Sequence, residues 1–78
     1  MTIPEMSALA KKHWQENYPE TFNLMQKNGD LQKEAEASAK LTLREMQTLM
    51  QGGQSEASAW EASRELFILS DPSKDYNP

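Results

Sequence analysis

Where this chain can be helical, and where it is made to stop, settles most of what 78 residues like these can fold into. Pro19, Gly29-Asp30, Gly52-Gly53-Gln54-Ser55 and Asp71-Pro72 divide it into four segments and a short tail. Proline lacks the backbone N–H that a helix interior needs, and glycine takes the left-handed conformation that closes a helix. Inside each segment apolar residues recur at three- and four-residue spacing, the period of an α-helix, and no alternating run of strand length appears. The expected class is all-α: a compact bundle of three to four helices in a single domain over residues 1–72, with a flexible tail at 73–78.

Each segment carries its own start signal. Thr2 and Glu5 form a Thr-x-x-Glu capping box, with Pro4 harmless in the first turn. Ile3, Met6, Ala10 and Trp14 make the first apolar stripe, flanked by Leu9 and His13. Pro19 disfavours helical geometry at Tyr18, so this helix should stop near Asn17. The second, short helix starts at Pro19, presents Phe22, Leu24 and Met25, and ends at Asn28-Gly29. Asp30 is placed to cap the third.

The third segment, Leu31 to about Met50, has no Gly or Pro and is rich in good helix formers. Leu31, Ala35, Ser38 or Ala39, Thr42, Met46 and Leu49 share a face that Leu43 and Met50 widen. Its small residues allow a neighbour to approach closely, and Glu36–Lys40 is spaced as an i,i+4 ion pair. Ser55 caps the fourth helix, with Ala59, Trp60, Ser63, Leu66 and Phe67 as its buried stripe, extended by Ile68 and Leu69 until Asp71-Pro72 stops it. The long helix is expected to pack against the first and fourth, with Trp14, Phe22, Leu31, Met46, Trp60 and Phe67 in the core.

Composition narrows the functions. The chain has no cysteine and one histidine, so neither a disulfide framework nor a structural zinc site is expected. The net charge of −4 is uneven. Lys11, Lys12 and Lys27 balance Glu5, Glu16 and Glu20 in residues 1–29. Residues 54–78 set Arg64 and Lys74 against Glu56, Glu61, Glu65, Asp71 and Asp75. An acidic chain lacks the electrostatic footprint of a nucleic-acid binder. Met1-Thr2-Ile3-Pro4-Glu5 shows no export signal, and no apolar run approaches the roughly 18 residues that span a bilayer. A cytoplasmic protein without membrane contact is expected.

No catalytic, cofactor-binding or metal-binding motif is legible. His13 and Glu16 share a helix face at i,i+3, but a metal site needs three or four ligands. Glu61 and Glu65 at i,i+4 read as a solvated face. The serines lack a glycine elbow, and Gly52-Gly53 is not followed by the Lys-Ser/Thr of a phosphate loop. Trp14 and Trp60 read as core anchors, with an exposed binding hot spot as the other role open to a tryptophan.

With the helices placed, the chain resembles the TnpV-like proteins, small helical proteins of transposons and phages. The likeness runs through Leu9…Trp14-Gln15-Glu16-Asn17-Tyr18-Pro19-Glu20, Met25…Asn28-Gly29-Asp30-Leu31 and Gly53…Ala59-Trp60-Glu61…Arg64-Glu65-Leu66-Phe67-Ile68-Leu69. It covers most of residues 9–72, and the strand-like N-terminal extension of transposon members is absent. The resemblance implies a mobile-element accessory protein and transfers no site residues.

These readings converge on a small, acidic, non-enzymatic protein-binding module, an accessory or regulatory factor of a phage or other mobile element, such as an inhibitor of a host protein. Its partner is expected to be another protein, with Glu56, Glu61, Glu65, Asp71 and Asp75 as the partner-binding residues and no cofactor. The alternatives are a nucleic-acid-binding accessory, built on the Gly29-Asp30 corner, and a self-associating assembly protein.

Overall fold

The computed structural model describes residues 1–74 and 76. Its elements are α1 (Ile3–Asn17), α2 (Pro19–Asn28), α3 (Leu31–Gln51) and α4 (Glu56–Phe67), then a 3₁₀ turn at Pro72–Lys74. The all-α expectation holds, and the boundaries fall where the punctuation placed them except at the end of α4.

Local chemistry accounts for most of these ends. The capping box closes in both directions: the Glu5 N–H donates to Thr2 Oγ1 at 3.3 Å, and the Thr2 N–H donates to Glu5 Oε1 at 3.1 Å. Gly29 sits at φ 76°, which lets the Asp30 N–H turn back to the Met25 carbonyl at 2.8 Å and close α2. Ser55 Oγ accepts from the Ser58 N–H at 3.2 Å.

Asp30 corrects one expectation. It holds the N-cap position of α3 but makes no side-chain cap, because its backbone is helical (φ −99°, ψ −8°) rather than extended. Its carboxylate instead accepts from the Tyr76 hydroxyl at 2.8 Å, and that hydroxyl also accepts from Asn28 Nδ2 at 3.0 Å. Glu36 departs in the same way: it accepts from Gln32 at 2.9 Å instead of pairing with Lys40, and Gln32 accepts from Lys11 of α1 at 2.6 Å.

α3 is the spine, with α1 and α4 packed along it and α2 closing one end. The Met1 amino group lies 3.9 Å from Glu56, so α1 and α4 begin at the same end. Lys11 meets the first turn of α3, which therefore runs against both. Met6, Ala10 and Trp14 of α1, Phe22 and Met25 of α2, Ala35, Ala39 and Met46 of α3, Ala59 of α4 and Ile68 just beyond it form the buried core. Of the six side chains expected there, Trp14, Phe22 and Met46 are buried, Leu31 and Trp60 pack half-buried against the core, and Phe67 is half-buried.

The C-terminal end of α4 explains a second departure. The N–H groups of Ile68 and Leu69 both return to the Arg64 carbonyl, at 2.8 and 2.7 Å. That wider last turn ends the helix at Phe67, four residues before Asp71. It seats Ile68 in the core, and Leu66 and Leu69 stay exposed.

Candidate functional site

Leucine is among the side chains most often fully buried in proteins. This chain has eight, and none is buried. Leu9, Leu24, Leu41, Leu66 and Leu69 are exposed, while Leu31, Leu43 and Leu49 are half-buried. The core is made instead from methionine and alanine, with one tryptophan, one phenylalanine and one isoleucine.

α1 and α4 lie side by side and parallel on α3, with their backbones apart along most of their length. Between them runs an open groove of about 220 Å³, lined by Leu9, Lys12, His13 and Glu16 from α1 and Trp60, Arg64, Ile68 and Leu69 from the α4 side. Trp60 also lines a second depression towards the start of both helices, with Met1, Met46, Glu56 and Ala57. One apolar seam thus follows the α1–α4 boundary past Trp60. Trp60 holds the half-buried position of an interface residue, while Trp14, 2 % exposed, is the core anchor.

The polar groups of the groove are poorly matched from within the chain. Neither Lys12 nor Arg64 has a carboxylate within 4 Å among the described residues, and Glu16 has no cation. Lys12 and Glu16 share a face one turn apart, in the Lys-before-Glu order that suits an internal i,i+4 pair less well. The Asn17 amide donates one hydrogen to the His13 carbonyl at 3.0 Å and has the other for His13 Nδ1 at 3.1 Å. His13 Nε2 and the Arg64 Nε–H are both buried without a hydrogen-bond partner among the described residues. Tyr18 braces the imidazole edge-on, with ring centroids 5.8 Å apart.

The acidic residues expected to bind a partner do not form one surface. Glu61 and Glu65 lie one turn apart on the exposed side of α4. Glu56, five positions before Glu61 and so about 140° around the helix, faces the Met1 amino group. Asp71 is half-buried and accepts from the Ser73 N–H at 2.9 Å and hydroxyl at 2.6 Å, bonds that hold its carboxyl below the usual range. Asp75 lies outside the described residues. Sequence reasoning missed the groove residues as a set. Their one available signal was Leu9, Lys12, His13 and Glu16 recurring along one flank of the Met6–Ala10–Trp14 stripe of α1.

A smaller cavity of about 70 Å³ opens at the other side of α4, where Trp14, Glu34, Ser38, Leu66 and Asp71 are among its walls. The Trp14 indole N–H is buried without an acceptor. No three His, Asp or Glu side chains among the described residues converge as metal ligands, and no described helix is long and apolar enough to cross a membrane. No family model, curated protein or solved structure matches this chain.

Proposed function

We propose that this chain is a small non-enzymatic protein-binding module, an accessory or regulatory factor that docks through its α1–α4 face. The observation that carries the reading is the placement of its leucines, all outside a core in which methionine and alanine predominate. Leucine left at a surface costs the chain hydrophobic stabilisation of roughly 1.5–3 kcal/mol per side chain relative to burial. A chain of this size has little to spare. The groove supports the same reading: a tryptophan and three aliphatic side chains set among charged groups is the composition of a docking surface. The phage or mobile-element setting rests on the pattern resemblance alone.

The test is capture of a tagged chain's partner from cells, with nuclease present, compared with a Leu9→Glu/Leu69→Glu variant. Both positions are exposed, so the fold tolerates the change. A stoichiometric protein recovered by the wild type and lost by the variant is the expected result. A partner retained by that variant and lost by Glu61→Lys/Glu65→Lys would move the interface to the acidic side of α4. A partner lost on nuclease treatment would favour the nucleic-acid reading.

A further inference from the structure

We infer that Asn28-Gly29 is a site of spontaneous covalent modification, held closed by the Tyr76 hydroxyl, and that its conversion to aspartate or isoaspartate releases Tyr76 from the α2–α3 corner. The inference is independent of the α1–α4 face. An asparagine amide is attacked by the backbone nitrogen of the residue that follows it, so the bulk of that residue governs the rate. Of the four asparagines, Asn17, Asn23 and Asn77 precede tyrosine, leucine and proline. Asn28 alone precedes glycine, which has no side chain to obstruct the approach. Asn28 and Gly29 are both exposed, so water and hydroxide reach them.

The step needs only water. The Gly29 nitrogen gives up its proton and bonds to Asn28 Cγ, the Cγ–Nδ2 bond breaks, and ammonia leaves. The cyclic imide then takes up one water at either of its carbonyls. Opening at Cγ gives aspartate. Opening at the main-chain carbonyl gives isoaspartate, in which the chain continues through the side chain. By either route a neutral amide becomes a carboxylate.

The fold holds this step back at both reacting groups. Asn28 is the last residue of α2, and in helical geometry the following nitrogen is out of line for attack on Cγ. The Gly29 N–H is also engaged, donating to the Gln26 carbonyl at 3.2 Å beside the Asp30 N–H that closes onto Met25. The side-chain amide is pinned in turn: Nδ2 donates to the Tyr76 hydroxyl at 3.0 Å, and that hydroxyl donates to Asp30 Oδ2 at 2.8 Å. Ring closure therefore requires the last turn of α2 and the Tyr76 contact to open, and its rate follows the population of that open state. The product no longer fits the same contacts. The hydroxyl has one hydrogen, already given to Asp30, so a carboxylate at position 28 leaves it between two acceptors with a proton for one. In isoaspartate the extra main-chain carbon also moves Gly29 out of the turn that closes α2.

The test is incubation of the folded full chain at mildly alkaline pH, with samples then cleaved after Glu20 and Glu34 in mild acid, where the reaction stops. The fragment 21–34 carries Asn23 as an internal control. Chromatography with mass spectrometry separates amide, aspartate and isoaspartate at Asn28. Conversion is expected at Asn28 and not at Asn23, slowly in the folded wild type and fastest in urea. Tyr76→Phe, with its helix content checked by circular dichroism, should speed it by about three- to tenfold, the factor to which the net worth of a hydrogen bond corresponds. The converted wild type and the Asn28→Asp variant should both be cut faster by trypsin after Lys74.

An Asn28 that resists conversion even in urea overturns the inference. So does conversion that runs as fast folded as unfolded, or that Tyr76→Phe leaves unchanged with the helices intact. A converted chain cut after Lys74 no faster than the starting one overturns it too, because the modification then releases nothing. That last comparison needs no substitution, so it decides the matter even where Tyr76→Phe disturbs the helices.

Discussion

At the residue scale, a side chain's type does not give its place here. Met25 is 1 % exposed and Leu66 is 58 % exposed, although both belong to apolar helical stripes. Met25→Ala removes buried methylenes and leaves a cavity, so it should cost about 2–5 kcal/mol in urea unfolding. Leu66→Ala should change stability by less than about 0.5 kcal/mol, as exposed substitutions do. Equal effects of the two would contradict the inverted core. Ser7 and Ser63 belong to the same pattern: both are buried, and neither hydroxyl has a partner. They sit where a larger side chain would hold α1 or α4 away from the core.

At the scale of the element, helix ends carry the legible chemistry, and the first of them titrates. Hydrogen bonds from the Thr2 hydroxyl, and then from the Thr2 backbone, hold the Glu5 carboxyl below its ordinary pKa. A carboxyl whose pKa is lower folded than unfolded stabilises the fold fully above its unfolded value, roughly 4.3. That stabilisation disappears as the pH falls through the lowered folded value. Helicity of the first turn of α1, followed by amide exchange or by NMR, should therefore fall in acid at a pH below the usual glutamate midpoint. The Glu5→Gln variant should lose this pH dependence while keeping much of the cap. The same shift in that variant would assign the transition to another group. α4 ends by a wider final turn that no Gly or Pro announces, which is why Ile68 turns inward as expected while Leu66 and Leu69, read into the same buried stripe, stay exposed.

At the scale of the whole molecule, the α2–α3 corner is tied to the far end of the chain. Residues 73–78 hold too little apolar surface to anchor themselves, yet the half-buried Tyr76 returns 46 residues to reach Asp30 and 48 to reach Asn28. Desolvation raises the Tyr76 pKa, with Asp30 also raising it and Asn28 lowering it. Tyr76→Phe removes both hydrogen bonds but keeps the ring, so it should lower the midpoint of urea unfolding. It should also speed proteolysis after Lys74. Unchanged stability together with unchanged cleavage would show that the contact holds nothing in place. By linkage, a phenol with a raised folded pKa stabilises fully below its unfolded value near 10 and is lost as the pH climbs through the folded one.

The sequence by itself determined the helices. Pro19, Gly29 and Gly53 act on their own backbones, and Thr2 and Ser55 act within three residues, so nothing distant was needed to place those ends. It also determined that α3 would be the spine, because only its apolar face is long enough to serve two neighbours. The tertiary structure decided which apolar residues that spine would bury. Ala10, Ala35, Ala39 and Ala59 are all fully buried, and small side chains at a helix contact draw the axes together. At that spacing methionine bends to fit while leucine is left at the margins. A stripe read from one helix cannot show this, since its buried width depends on how near the next helix comes. The groove was hidden for the same reason: Lys12, Glu16, Trp60 and Arg64 become one surface only because α1 and α4 both choose α3 over each other.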